Sequence, residues 1–295
     1  MNFRLFTLHP EIFSSFISQS LIGRGVSQSI INFEFVNWRE KYGIGNYKQI
    51  DDKPFGGGSG MVLMADPIIK AMESYNCAGS ENPKIPDVTT EHTSFLPNNA
   101  KFFDDINSGK LKTKKVNILT TPRGFPFTQQ TAEWIVENFD DVNILCGRYE
   151  GFDARINDNI DLELSVGNFV LNGGEVGAMC MIEAISRLIP NFITKNSSVL
   201  HDSFSSGLNN YSEFAFDNGS QKFREQFENS NHDKTEKMKI AQKNLFDNQN
   251  WIKNILPFIE HPQYTRPEIW RNISVPKVLL SGNHSNIQKW RRKWF

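Results

Sequence analysis

The chain has 295 residues, of which 39% are hydrophobic and 22% charged, and its formal net charge is −1. That length builds one large domain or two modest ones around a sizeable core. The near-even charge balance excludes a molecule-wide basic field, so any nucleic-acid contact must rest on a local patch.

Cys77, Cys146 and Cys180 are few, odd in number and widely spaced, and no Cys-x-x-Cys occurs. This argues against a disulfide framework or a zinc site and for a reducing compartment. The six histidines show no metal-ligand spacing, so no metal is expected. The start, Phe3-Arg4-Leu5-Phe6-Thr7-Leu8, is strand-like rather than signal-like. No apolar run approaches the roughly 20 residues of a membrane span. The expectation is a soluble cytoplasmic protein with neither a membrane nor DNA as partner.

In chain order, Phe3 to Leu8 predicts a strand. Ile12, Phe13, Phe16, Ile17, Leu21 and Ile22 then recur at helical spacing after Pro10. Ile31, Phe33 and Phe35 alternate as a strand does. The run Gly56-Gly57-Gly58-Ser59-Gly60 precedes a helix over 67–74. Positions 116–119 and 142–145 are short apolar strands, with a helix over 131–137 between them. A strong helical pattern covers 175–189 and stops at Pro190. Alternation of this kind predicts an α/β domain with a mainly parallel sheet.

Two stretches are polar, 76–113 and about 209–258, and read as surface insertions, with an exposed helix possible over 233–246. At the far end, Ile287 and Trp290 share a helical spacing. Lys289, Arg291, Arg292 and Lys293 interleave with Trp290 and Trp294, a mixture suited to phosphate and base contacts or to a solvated helix end.

Three glycine-bearing loops follow strand ends: Thr120-Thr121-Pro122-Arg123-Gly124, Gly147-Arg148-Tyr149-Glu150-Gly151, and the stretch from Gly167 to Gly174. Neither a P-loop nor a Gly-x-Gly-x-x-Gly fingerprint is present. Tight turns alone would explain one such loop. Three at successive strand ends predict a shared ligand pocket built from main chain.

Six motifs in order carry a resemblance. They are Asp51-Asp52-Lys53-Pro54-Phe55-Gly56-Gly57-Gly58-Ser59-Gly60-Met61, Cys146-Gly147-Arg148-Tyr149-Glu150-Gly151-Phe152-Asp153, Val170-Leu171-Asn172-Gly173-Gly174-Glu175, Asp202-Ser203-Phe204, Tyr264-Thr265-Arg266-Pro267-Glu268 and Ser281-Gly282-Asn283-His284. Together they closely resemble the bacterial tRNA (guanine-N1)-methyltransferases.

The resemblance implies a trefoil-knotted, mainly parallel α/β sheet with flanking helices, plus a small, mostly helical C-terminal domain. It implies a homodimer whose active sites draw on both subunits, a tRNA partner, and S-adenosylmethionine as cofactor. The domain division would be 1–191 for the knotted cofactor domain, 192–206 for an interdomain catalytic loop, and 207–295 for an atypical tRNA-binding domain. The cofactor shell would comprise Leu119, Thr120, Thr121, Pro122, Gly124, Gly147, Tyr149, Glu150, Gly151, Ser165, Val166, Gly167, Asn168, Phe169, Val170, Leu171, Gly173 and Gly174.

By the same motif match, Asp202 is the general base, and Arg187 stabilises guanine O6 or the cofactor. Asp51, Gly57, Gly58, Ser59 and Gly60 hold the target base. Read alone, Asp202 suits an N-cap and Arg187 a helix C-terminal cation. Arg148, Arg155 and Arg266 suit phosphate contacts or carboxylate pairs equally well.

The chain departs from the family in three places. Asn168 stands where an aspartate is common, an insertion of roughly fifty residues follows Leu208, and the sequence stops soon after the basic helix. The reaction implied is methyl transfer to N1 of the guanosine 3′ of the anticodon. A non-catalytic RNA-binding relative and a knotted methyltransferase with another RNA substrate are the alternatives.

Overall fold

A computed structural model of the chain describes residues 1–75, 114–193 and 261–292. Both polar insertions, the 233–246 helix, Asp202, Lys293 and Trp294 lie outside the described residues, as does nearly all of the 192–206 loop.

Five strands form one parallel sheet. They are β1 (Asn2–Phe6), β2 (Asn32–Val36), β5 (Lys115–Pro126), β6 (Asp141–Cys146) and β7 (Leu162–Ser165), in the order β2-β1-β6-β5-β7. The period-2 pattern of each strand sends alternate residues to opposite faces. Phe3, Leu5, Val116, Ile118, Val142 and Ile144 enter one core, while Phe6, Leu119 and Leu145 enter the other. Asn117 and Asn143 occupy polar positions on that second face, where Asn143 Nδ2 donates to Asn117 Oδ1 at 2.9 Å. Both amides therefore find a partner inside the protein, which removes most of the cost of burying them.

Helices flank the sheet. A 3-10 turn (Pro10–Phe13) leads into α1 (Ser14–Ser18) and α2 (Ser20–Ser27). The single helix expected here is broken, because Gln19 is extended and Ser20 has φ +56°. Then come α3 (Trp38–Tyr42), α4 (Ala65–Ser74), α5 (Gln129–Asn138) and α6 (Gly174–Ser186). Helix α6 stops at Ser186, short of Ile189. The Leu188 and Ile189 amides instead bond to Ile185 and Ser186 in tighter turns before Pro190. The Thr128 side chain caps α5 by accepting from the Thr131 amide at 3.3 Å.

The first expected glycine loop is a different object. Residues 120–124 lie inside β5, where the pairing with β7 shifts register between Thr120 and Phe125. The chain bulges and stays in the sheet. A β-bulge re-aims side chains at a sheet rim, and here it does so beside the cleft described next.

A small hairpin pairs β3 (Asp51–Asp52) with β4 (Val62–Leu63). Near the far end, β8 (Ile269–Trp270) and β9 (Ile273–Ser274) precede α7 (Lys277–Leu280) and α8 (His284–Arg291). Val275, Leu279 and Ile287 make a third core, joined by Phe55, Tyr264 and Trp290. Phe55 comes from the glycine-rich segment, so this end of the chain packs directly onto it.

A buried fork holds the 261–275 segment in place. Arg155 pairs with Asp153 at 2.9 Å, with side chains 1% and 0% exposed. Asp153 Oδ2 also accepts from the Thr265 amide at 2.7 Å, and Arg155 Nη2 donates to the Thr265 carbonyl at 2.7 Å. Both carboxylate oxygens and most of the guanidinium N–H groups are thereby used, the condition under which a buried ion pair is tolerated.

Candidate active site

The carboxyl ends of β5, β6 and β7 point to one rim of the parallel sheet, the usual place for a ligand in α/β proteins. A cleft of about 460 Å³ opens there. This lies within the usual range of small-molecule sites. Leu119, Thr120, Thr121, Pro122 and Arg123 form one wall. Gly147, Arg148, Tyr149, Glu150, Gly151 and Phe152 form a second. Leu164, Ser165, Val166, Gly167, Phe169, Val170, Leu171, Asn172, Gly173 and Gly174 form the third. Gly177 and Met181 of α6 line it from below, and His261 and Gln263 reach it from the far segment.

The walls meet at glycines. The Gly174 amide donates to the Gly147 carbonyl at 2.9 Å. A Cβ on Gly174 would lie 2.8 Å from the Cys146 Cα and 2.9 Å from the Gly147 nitrogen, and would also collide with Thr120 Oγ1. Only a residue without a side chain lets these three segments touch. Ser165 closes its own turn, with its Oγ donating to the Gly167 carbonyl at 3.0 Å.

Glu175 is 1% exposed, in the first turn of α6. Its Oε1 accepts from Thr7 Oγ1 at 2.8 Å and from Arg148 Nε at 3.2 Å, and Arg148 Nη2 sits 2.9 Å from Oε2. Its charge also suits the positive end of the helix. Burial, with the Glu175 charge nearby, pushes the Cys146 thiol well up, so this cysteine is an inert part of the core.

Four cleft residues carry titratable groups that matter: Arg123, Arg148, Glu150 and His261. Glu163 pairs with Arg123 at 3.2 Å and Glu175 pairs with Arg148, so both cations are neutralised. Burial lowers the His261 pKa, which favours the neutral imidazole. The remaining surface is backbone amides, backbone carbonyls and apolar side chains. Such a lining can hydrogen-bond a heteroaromatic edge and a sugar, and it offers no cradle for a polyphosphate. Its carbonyls and Glu150 suit a small positive charge.

Some expected residues stand apart from the cleft. Gly124 is buried against β7, where a Cβ would lie 2.6 Å from the Leu164 nitrogen, so its place is packing within the bulge. Asn168 is exposed and does not line the cleft. Gly57, Gly58, Ser59 and Gly60 are exposed in the loop joining β3 to β4, with Asp51 half-buried at its root. That loop borders the second wall: the Glu150 amide donates to the Met61 carbonyl at 3.0 Å and the Leu63 amide to the Gly151 carbonyl at 2.9 Å. Arg187 caps the far end of α6 and does not reach the cleft.

All three ambiguous arginines pair with carboxylates: Arg148 with Glu175, Arg155 with Asp153, and Arg266 with Asp52 at 2.9 Å. Sequence reasoning missed Phe152, Leu164, Gly177, Met181, His261 and Gln263 as lining residues. Gly177 and Met181 follow Gly173 and Gly174 at helical spacing, a signal that was present. For His261 and Gln263 there was no local signal.

The tRNA (Guanine-1)-methyltransferase family, TrmD, matches residues 1–93, 98–255 and 254–294. The chain belongs to this family. It is 33% identical over 293 residues to the tRNA (guanine-N(1)-)-methyltransferase of Mycoplasma capricolum subsp. capricolum, covering 99% of this chain and 86% of that one. To the enzyme of the same name from Staphylococcus epidermidis it is 34% identical over 288 residues, covering 97% and 82%. With the Clostridium beijerinckii enzyme it shares 32% over 292 residues, covering 99% and 86%. Among the described residues no helix is long and apolar enough to cross a membrane, and no His, Cys, Asp and Glu group could hold a metal ion.

Proposed function

We propose that this chain transfers a methyl group from S-adenosylmethionine to N1 of the guanosine 3′ of the anticodon in tRNA. Family membership supports the reaction class. The observation that carries the cofactor is the main-chain cleft at the ends of β5, β6 and β7, with Gly174 against Gly147. Its neutralised cations and backbone lining fit a nucleoside bearing a sulfonium. When bound, the cofactor supplies an electrophilic methyl group.

The chain's own residues divide the rest of the work. The Asp202 carboxylate takes the N1 proton as the methyl–nitrogen bond forms and the methyl–sulfur bond breaks. Arg187 stabilises the charge that builds on O6. Asp51 reads the guanine edge, and the loop from Gly57 to Gly60 lets the backbone approach the base.

The same reading makes the cleft a trefoil knot, with residues 1–191, 192–206 and 207–295 as cofactor domain, catalytic loop and tRNA-binding domain. A homodimer is part of it. Tyr149, Phe169, Val170 and Val176 are 56%, 55%, 76% and 52% exposed around the cleft. Apolar side chains crowded at one rim mark an interaction surface. A partner there would bring its own Arg187 and Asp202 to this cofactor. The cytoplasm, where tRNA is processed, is the proposed location.

Incubation with radiolabelled S-adenosylmethionine and an unmodified tRNA bearing guanosine 3′ of the anticodon tests the proposal. Label is expected at that guanosine. A folded, cofactor-binding protein that labels no such tRNA removes the proposal and favours a non-catalytic RNA-binding relative. Asn168 is exposed and is not among the residues that line the cleft, although its neighbours Gly167 and Phe169 are.

A further inference from the structure

The glycine-rich loop is held by a side chain 235 residues further along. Arg291, the last residue of α8, donates from Nη2 to the Gly56 carbonyl at 3.2 Å and to the Gly57 carbonyl as well. Both glycines have positive φ, +81° and +74°, so the turn that presents these carbonyls is open to glycine and strained for other residues. A Cβ at Gly56 would lie 2.9 Å from Leu279 Cδ2 and 3.4 Å from Ile287 Cγ2. The turn is thus seated on the third core.

Two neighbouring bonds fix the loop's base. The Phe55 amide donates to the Tyr264 carbonyl at 2.7 Å, and Thr265 Oγ1 donates to the Lys53 carbonyl at 2.8 Å. The loop's other end, from Gly58 to Gly60, stays exposed. Trp290, beside Arg291, packs edge-on to His261 with ring centroids 6.0 Å apart, and His261 lines the cofactor cleft. Helix α8 therefore touches both the loop and a residue of the cleft.

We infer that Arg291 is a positioning residue for the target base. By taking the Gly56 and Gly57 carbonyls it fixes the turn, and the fixed turn aims the exposed Gly58-Ser59-Gly60 backbone at the guanosine. The inference rests on the reading above that this loop holds the base. It assigns a basic residue of α8 to loop geometry rather than to phosphate. A lysine keeps the charge but lacks the planar guanidinium that spans two carbonyls from a fixed direction.

Arg291→Lys in the full chain is expected to lower kcat for tRNA methylation about tenfold. Cofactor affinity by calorimetry, the melting temperature and the salt dependence of tRNA binding should stay at wild-type values. Loss of a phosphate contact would instead reduce the slope of log K against log salt by about 1 while leaving kcat at saturating tRNA intact. That result for Arg291→Gln overturns the inference, as does wild-type kcat for Arg291→Lys.

Val275→Ala perturbs the same small core without touching the loop carbonyls and serves as the structural control. If it lowers kcat as far as Arg291→Lys does, Arg291 acts only through stability and the inference falls. Wild-type protein that labels no tRNA removes the parent reading. Active wild type with an equally active Lys variant removes this inference alone.

Discussion

Arg187 ends the helix that Gly174 begins. Helix α6 has 13 residues. At a rise of 1.5 Å per residue, the arginine sits roughly 20 Å along the axis from the glycine at the cleft. Met181 of the same helix still lines the cleft, but Arg187 at its end does not.

For the proposed homodimer, the absence of Arg187 from its own cleft predicts complementation between subunits. Gly174→Val should abolish cofactor binding, and Arg187→Ala should abolish turnover while leaving binding intact. Each variant alone should be inactive. Mixed after dissociation at equal amounts, they should recover roughly a quarter of wild-type activity, because half the dimers are mixed and each carries one intact site. Activity that stays at zero in a mixture shown to contain heterodimers would mean the sites are not shared.

The exposed rim predicts how the proposed dimer would break. Val170 is 76% exposed in the single chain, and Val176 52%. Val170→Asp places a charge among Phe169, Leu171 and Val176 if a partner covers them, and burying an unpaired charge is costly. Light scattering should show a shift to monomer with far-ultraviolet dichroism unchanged. A variant that keeps wild-type mass would place the interface elsewhere.

Even a single methyl on Gly174 should tell. Gly174→Ala sets a Cβ 2.8 Å from the Cys146 backbone, in a place where neither strand nor helix can withdraw easily. Overpacking of this kind costs roughly 1–3 kcal/mol. We expect a lower urea midpoint together with weaker S-adenosylmethionine binding. Gly151→Ala, with nothing near its Cβ, lies beside the same cleft but is strained only by its φ of +91°, so its effect should be the smaller.

The Asp153–Arg155 fork predicts a large stability loss. Arg155→Ala leaves a fully buried carboxylate with only the Thr265 and Arg155 backbone amides as donors. Removing one partner of such a pair costs about 3–5 kcal/mol. Denaturant titration followed by tryptophan fluorescence would detect it, since the fork holds the segment that carries Trp270.

Burial pushes the Asp161 carboxyl up to about 7, against the opposing pull of the Asn117 amide that donates to it. A carboxyl whose folded pKa exceeds its unfolded value, roughly 3.9, favours the folded state in its protonated form. That contribution is full below the unfolded value, declines as pH rises towards the folded one and is gone above pH 7. Asp161→Asn keeps the acceptor and removes the charge. Its stability relative to wild type should rise from pH 4 to pH 8. Equal differences at both ends would show that Asp161 titrates normally.

Much of the cleft was readable because its residues lie in three short stretches, each following an apolar strand. Glycine at 147, 173 and 174 signals close backbone approach whatever the fold. What could not be read was the status of residues inside those stretches. Gly124 and Asn168 sit in the right segments, yet one packs inside a bulge and the other faces solvent. A strand bulge and a turn have the same glycine signature, and only the register between β5 and β7 tells them apart. The broken helix at Gln19 and Ser20 was hidden for a similar reason, since the apolar spacing continues across the break.

By itself, the sequence determined the alternating strand and helix order, the parallel sheet and the main-chain character of the pocket. These follow from local periodicity and from glycine placement, which act over a few residues. Tertiary structure alone decided that Arg148 and Arg266 are spent on distant carboxylates, that His261 lines the cleft, and that Arg291 holds the Gly56–Gly57 turn. Those pairings join residues up to 235 positions apart. No local pattern encodes them, because they arise only when separate segments are packed together.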